Sequence, residues 1–402
     1  MAVALDADTT EQDILSIEQH QMLRQASQDL KLSSQAGAPV AWAVGLSYLH
    51  STSGYDPVIA SGAFFAGPNT LYTTSKLDSY AAYGHVSGTL SPTTTARIGL
   101  RYTIDRRTIA QNLTETVGDA VGYIDAPQSA AHTFHGLTGD ISVEQRLSSM
   151  LSGYATYDHA QQSGTLLPNT FPALAIRPET LDAFRAGFKA VAARGAFVAN
   201  LSAFLNDYTN MQARQRVEGL TYILSAPKAR SYGLEGTLFA KLSARLTVNG
   251  GLTWRHARYT RFPDALISSP LPTGGNSVVT GDASGKRIQD VPAFTMTLGA
   301  RYDLPTRLGT FSLGATNYYN SGYASEPDNR LRQPRYDVLD TSLTWSSKNH
   351  RLSAQIWANN ITNTFCVAEL TALPVGDNQV AAPPRTFGLT IGYHFGGNGD
   401  TR

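Results

Sequence analysis

The feature that most constrains this chain is alternation with period two, sustained over long segments. Leu246, Val248, Gly250, Leu252 and Trp254 alternate with Thr247, Asn249, Gly251, Thr253 and Arg255. Ala96, Ile98, Leu100, Tyr102 and Ile104 alternate with Arg97, Gly99, Arg101, Thr103 and Asp105. Phe294, Met296, Leu298, Ala300 and Tyr302 alternate with Thr295, Thr297, Gly299, Arg301 and Asp303, and Phe387, Leu389, Ile391, Tyr393 and Phe395 with Thr386, Gly388, Thr390, Gly392 and His394. Successive side chains of a strand point to opposite faces, so each segment carries one dry face and one wet face. No stretch shows comparable amphipathicity at the helical period. The chain is read as all-β.

The connections alternate as well. Short turns are expected near 35–39, 91–95, 147–150, 192–195, 242–245, 305–309 and 346–351. Long polar or Gly/Pro-rich loops are expected near 54–74, 107–131, 160–179, 207–228, 260–289, 321–335 and 364–384. Each unit holds two strands of about ten residues or more, not the four short strands of a propeller blade. Two long strands, one tight turn and one long loop per unit is the up-and-down pattern of an outer-membrane barrel. The count comes to about fifteen strands (14–16), from near residues 24–33 to 386–395. Odd parity is awkward for such a barrel, so either a strand lies unrecognised in residues 1–22 or the chain starts inside a larger barrel.

Composition excludes several alternatives. The longest nearly unbroken apolar stretch, residues 39–46, is far short of the roughly 20 residues of a spanning helix. The 32 Lys+Arg against 31 Asp+Glu leave no basic excess for nucleic acid. The one cysteine, Cys366, cannot form an internal disulfide framework. Residues 1–22 show no basic start or apolar core of signal-peptide type. The wet faces carry Thr, Ser, Asn, Gly and scattered Arg with little Lys, which suits a crowded lumen better than a face in bulk water. Trp42, Leu100, Tyr102, Trp254, Leu298, Tyr302, Leu389, Ile391, Tyr393 and Phe395 are accordingly expected to face lipid or sit in its aromatic girdles. A soluble all-β carbohydrate-binding or adhesive module, with the dry faces turned towards each other, is one competing reading, and an ungated porin-like remnant is another.

Several ordered stretches then resemble one family. Arg177–Phe184 (RPETLDAF) with Gly187-Phe188-Lys189 resembles its "PETLDAYE-GFK" segment, and Ala199–Tyr208 with Asn210-Met211-Gln212 resembles "N-AAFYNDYKNIQ". Lys228–Gly236 (KARSYGLEG), Trp357–Asn363 (WANNITN), Asp78–Gly84, Gly99–Tyr102 and the terminal run Pro384–Phe395 add further pieces. Together they are similar to the C-terminal barrel of TonB-dependent outer-membrane receptors. The resemblance implies a transporter rather than an enzyme, with a ferric siderophore or another scarce nutrient as ligand. It also implies outer-membrane lipid and the barrel-assembly machinery as partners, and TonB only if a plug with a TonB box is supplied. Family barrels have 22 strands behind an N-terminal plug; neither the plug nor about seven of the strands is recognised here. The expected organisation is therefore a loop or partial-strand remnant over 1–22, a barrel over 23–395 that closes at a smaller radius or stays open, and an extension over 396–402 that weakens assembly recognition.

No catalytic, cofactor or metal constellation is evident: His132 and His135, three apart, fall on opposite faces of a strand. The inward arginines Arg97, Arg101, Arg255 and Arg301 either form a cationic wall for anionic ligands or pair with carboxylates such as Asp105 and Asp303. Tyr259, Tyr318, Tyr319 and Tyr323 either stack on a ligand from outer loops or belong to the outer girdle. One test separates barrel from soluble module. The chain should require detergent to refold and should migrate differently on a gel with and without heating, whereas a soluble module would stay in the aqueous phase.

Overall fold

The structure is a computed structural model, and it describes residues 2–6, 16–63, 65–118, 120–168, 170, 172–217, 220–373 and 376–395. One antiparallel sheet of 16 strands runs through it in chain order. Its strands are β1 (Ala2–Asp6), β2 (Ser16–Ser33), β3 (Val40–Ser61), β4 (Asn69–Ser91), β5 (Thr94–Val117) and β6 (Ala120–Arg146). They continue with β7 (Leu151–Gln162), β8 (Glu179–Ala192), β9 (Phe197–Val217), β10 (Leu220–Lys241) and β11 (Leu246–Arg261). The last five are β12 (Phe294–Thr306), β13 (Gly309–Asn320), β14 (Tyr336–Ser346), β15 (Leu352–Asn359) and β16 (Thr386–Tyr393). Four two-stranded hairpins lie in the long connections. Among the described residues β1 pairs only with β2 and β16 only with β15, so the sheet carries an edge at each end. The parity question resolves to an even number. Residues 1–22, expected as a remnant, contain β1 and the start of β2. The expected extension 396–402 lies outside the described residues.

The cross-strand registers assign every side chain to one of two faces. Across β8 to β12 one outward row reads Ala186, Ala203, Leu234, Trp254 and Phe294. The row above it reads Tyr157, Phe184, Leu205, Tyr232 and His256 from β7 to β11. The next reads His159, Asp182, Asp207, Arg230 and Arg258. Apolar, aromatic and charged side chains thus succeed one another within three rows. Below the aromatic row the outward positions from β2 to β16 carry no Lys, Arg or Glu among the described residues, and one Asp, Asp337, beside Tyr319 near the start of β14. The large apolar side chains of this face are exposed: Leu100 at 59%, Leu389 at 64% and Ile391 at 68%. The opposite face is the sheltered one. In β5, Arg101, Thr103 and Arg107 are half-buried and Asp105 is buried, while Leu100 and Tyr102 between them are exposed. A soluble protein would reverse this pattern. Here the sheet curls with its polar face inside, and its apolar face has no protein to cover it.

The apolar band has membrane dimensions. In β12 the aromatic ends Phe294 and Tyr302 bracket Leu298 on one face. That interval is nine residues, within the about 9–11 that a tilted barrel strand uses to cross a membrane. Continuous strand-to-strand pairing is what permits such a wall, because unpaired backbone groups in hydrocarbon cost several kcal/mol each.

Three expected loops are wholly or largely strand: 54–74 is so except for the short connection between Ser61 and Asn69. Residues 107–131 and 207–228 belong to the β5/β6 and β9/β10 ribbons, which stay paired out to Val117–Ala120 and Val217–Leu220. Their polar composition reflects where they run. β6 has 27 residues, about 90 Å of strand at roughly 3.3 Å per residue, while a barrel strand needs only about 9–11 residues to span. The ribbons therefore stand well beyond the membrane, where both faces are wet and alternation lapses. Arg replacing Leu298 near mid-band should cost about 2–4 kcal/mol of stability, measured by reversible denaturant unfolding in lipid vesicles, and Arg replacing the inward neighbour Thr297 should cost far less.

Candidate ligand site

The long-loop end of β9 to β14 holds the most developed interior of the protein. Residues 262–293, between β11 and β12, turn back over the inner wall and bury a small apolar core of Ala213, Ala226, Ala229, Tyr259, Phe262, Ala265, Ala283 and Ile288. Tyr259 is fully buried, with its ring 5.1 Å from that of Phe262. This corrects its expected place as an outer-loop aromatic available to a ligand: it lies in β11, and the returning loop covers it.

Three outer segments are tied together through Arg330. Its guanidinium donates to both carboxylate oxygens of Asp377 at 2.6 and 2.7 Å and to the Ser268 carbonyl at 3.0 Å. The turn that carries it is buried: Glu326, Asp328 and Asn329 are at most 9% exposed. Asp328 accepts from the Ser268 amide at 3.1 Å and its carbonyl accepts from Lys286 Nζ at 2.8 Å. The Asn329 side chain exchanges hydrogen bonds with the backbone of Arg287 at 2.8 and 2.9 Å. Asn329 also holds φ +60, a left-handed value for which asparagine is among the better-suited residues. Glu326 Oε1 accepts from the Ala372 amide at 3.1 Å. Loops 262–293, 321–335 and 360–385 thus form one hydrogen-bonded cap.

Under the cap lies a cavity of about 680 Å³. Its wall includes Arg255 and Thr295 from the strands, Tyr318 and Asn320 from the end of β13, and Asp290, Tyr323, Ser325 and Glu326 from the loops. Three of these residues, Arg255, Ser325 and Glu326, carry a buried polar atom with no hydrogen-bond partner in the protein. Burial raises the Glu326 carboxyl to about 7 and that of Asp290 to about 6. The Ala372 amide works against the shift at Glu326 by stabilising the carboxylate.

The remaining sequence-derived candidates fall elsewhere. Arg301 is paired with Asp303 at 2.8 Å, and Asp303 also accepts from Ser312. Arg97 lies 3.4 Å from Asp140 rather than from Asp105. Arg101 donates to Ser47 and Thr103 and stands over the Tyr83 ring at 5.7 Å. Arg97 and Arg101 line a second recess of about 450 Å³ lower on the inner wall. Asp105 is buried with one carboxylate oxygen unpartnered, near Arg107 on the same face. Tyr318 and Tyr319 lie in β13 and not in a loop, so they face opposite ways. Tyr318 lines the cavity, and Tyr319 sits against Phe294 on the outward face at 6.0 Å. Trp42, Leu100, Tyr102, Trp254, Leu298, Tyr302, Leu389, Ile391, Tyr393 and Phe395 are all exposed on the outward side or at its end. Asp290 and Glu326 were not legible as site residues: each is an acid in a polar loop, and only folding brings them into the lining of one cavity with Arg255.

These features define an outer-membrane-type β-barrel wall with a lidded polar recess at one mouth. The sequence profile of the family described as TonB dependent receptor-like, beta-barrel matches residues 4–361. The chain belongs to that family of outer-membrane receptors. It is 25% identical over 266 residues to the ferrioxamine receptor of Yersinia enterocolitica, covering 64% of this chain and 33% of that protein. The fold matches that of the ferric yersiniabactin uptake receptor of Yersinia pestis with a TM-score of 0.80 at 15% identity, covering 95% of this chain and 55% of that one. It also matches a siderophore receptor of Acinetobacter baumannii, with a TM-score of 0.69 at 15% identity, covering 94% and 56%. The chain thus spans a third to somewhat over half the length of these relatives.

The cap should respond to pH with a defined sign. The Glu326 pKa is raised from an ordinary 4.5 to about 7, so the folded cap binds this proton more tightly than the open one. Its contribution is complete below about 4.5 and falls as pH rises to about 7. Amide hydrogen exchange in 265–281 and 367–373 should therefore show weaker protection at pH 8 than at pH 5. Glu326→Gln should flatten that dependence.

Proposed function

We propose that this chain is the wall and outer cap of a receptor that captures a ferric siderophore, or a similarly scarce nutrient, from the medium. The supporting observation is the cavity beneath the Arg330 cap, where Arg255, Ser325 and Glu326 leave buried polar atoms unpartnered. Buried polar groups without a protein partner are placed to hydrogen-bond a ligand rich in oxygen donors and acceptors. Tyr318 and Tyr323 add two rings to the same wall, and Arg214 and Arg255 each a positive charge, which together suit a chelate presenting both apolar edges and anionic oxygens. Hydroxamate chelates of the ferrioxamine type are the first ligand class to test, given the Yersinia relative.

Release of a tightly held ligand through the wall needs an energy source. Residues 1–402 by themselves are proposed to bind but not to carry out energised uptake, which in this family works through a plug that engages TonB. The exposed outward band, nearly free of charge, argues against a soluble carbohydrate-binding module.

Binding of ferrioxamine to the detergent-refolded chain, followed by quenching of intrinsic fluorescence, tests the reading. Arg255→Gln should weaken it about tenfold or more, since hydrogen bonds to charged groups contribute about 1.5–3 kcal/mol. Tyr318→Ala should weaken it as well, while Tyr319→Ala, on the other face, should not. Equal affinity of the Arg255 and Tyr319 variants would remove the cavity as the site.

A further inference from the structure

The outward face above the aromatic row differs between two sectors of the sheet. From β7 to β11 its charges satisfy one another. Arg230 is held by Asp207 at 2.6 and 3.1 Å, Asp182 accepts from Tyr157 at 2.7 Å with His159 Nδ1 at 2.8 Å, and Arg258 donates to His256 and to the Gly285 carbonyl. From β2 to β5 the balance is different. Arg24, Thr52, Lys76 and Thr108 form one cross-strand row, and Ala26, His50, Asp78 and Arg106 form the row below. Arg24, Lys76 and Arg106 are exposed, and none makes an ion pair among the described residues. Asp78, the one acid in these two rows, is already engaged. The Tyr48 hydroxyl donates to its Oδ1 at 2.9 Å and His50 Nδ1 lies 2.8 Å from the same oxygen. Beneath the cations, Tyr48 and Tyr80 lie with ring centroids 5.0 Å apart, and Arg106 stands 6.0 Å over the Tyr80 ring.

We propose that Arg24, Lys76 and Arg106 form a docking patch for the phosphate groups of lipids in the membrane leaflet on the long-loop side. The position follows from the rows. The patch begins one step above the aromatic shelf, so a lipid whose chains lie against Leu30, Leu46 and Tyr102 brings its headgroup to this height. Three cations with threonine hydroxyls between them match a phosphate monoester or diester, which offers several acceptor oxygens and negative charge. Asp78 hydrogen-bonds with Tyr48 and His50 and makes no direct ion pair with its cross-strand neighbour Arg106, so one carboxylate stands against three cations. The proposal goes beyond ligand capture, since it concerns the opposite face of the wall.

The test uses the full chain refolded into phosphatidylcholine vesicles that also contain a phosphorylated lipid A, with the matching dephosphorylated lipid in a parallel set. Folding is read separately by heat-modifiable gel mobility. After extraction into mild detergent, co-purifying lipid is counted by native mass spectrometry. Wild type should retain the phosphorylated lipid in preference to the dephosphorylated one, and raising the salt concentration should reduce that retention. Each cation replaced, in R24Q, K76Q and R106Q, should lower it about fivefold. K348Q, in a short turn at the other end, should leave it unchanged. If the triple variant does not fold, the K76Q/R106Q pair and the salt series on wild type give the same reading. Equal retention of both lipids, or retention indifferent to salt and to these substitutions, overturns the patch. Loss of ferrioxamine binding in the Arg255 variant bears only on the cavity, so the two readings fail independently.

Discussion

A sheet placed in hydrocarbon must satisfy its own backbone, and the rest of this structure follows from that requirement. Water competes poorly for N–H and C=O groups in a bilayer, so a wall of long, mutually paired strands is one of the two solutions available to a chain. Once the wall exists, the two faces of each strand meet different solvents. Lipid accepts Leu, Ile, Phe and Trp and rejects charge. The lumen accepts Thr, Ser, Asn and paired ions such as Arg301 with Asp303 and Arg185 with Glu235. The outward band from β2 to β16 with Asp337 as its one charge among the described residues, and the abrupt rows of Tyr, then His, Asp and Arg above it, are the record of that partition. The same requirement makes the two sheet edges at β1 and β16 the places where this sheet still has backbone to pair.

Above the membrane the constraint is lifted, and the protein uses a different kind of cohesion. The long ribbons β5/β6 and β9/β10 keep their strand pairing in water. The loops after β11, β13 and β15 instead condense around a buried turn and the Arg330 guanidinium. A bidentate arginine–carboxylate contact is suited to that task because its fork fixes orientation as well as distance. The cost of burying Glu326 and Asp290 appears as carboxyls held towards their neutral forms near physiological pH. A recess built this way is polar, partly unsatisfied and roofed, while the outward surface at the same height meets lipid headgroups.

How much of this was legible beforehand depended on the range of the interaction. Strand identity, the facing of Leu100, Trp254, Leu298 and Leu389, and the alternation of short and long connections rest on nearest-neighbour geometry, and they can be read along a line. The ribbon at 107–131 was read as a loop because alternation marks a difference between two faces, and outside the membrane both faces are wet. Tyr259 was read as a loop aromatic because nothing in its local sequence shows that residues 262–288 return over it. Tyr318 and Tyr319 look equivalent in the sequence. The β13 register sends one to the cavity and the other to the outer girdle. Asp290, Ser325 and Glu326 line one cavity with Arg255 only because two loops close over one patch of wall.

The amino-acid sequence by itself determined that this chain forms a membrane wall of antiparallel strands, since a period-two pattern with greasy and hydroxylated sides has few other stable arrangements. Tertiary structure alone decided which polar residues share a site, which acid partners which arginine, and where cations are left over. Those outcomes depend on register and loop closure between positions far apart in the chain, and neither leaves a local periodic signal.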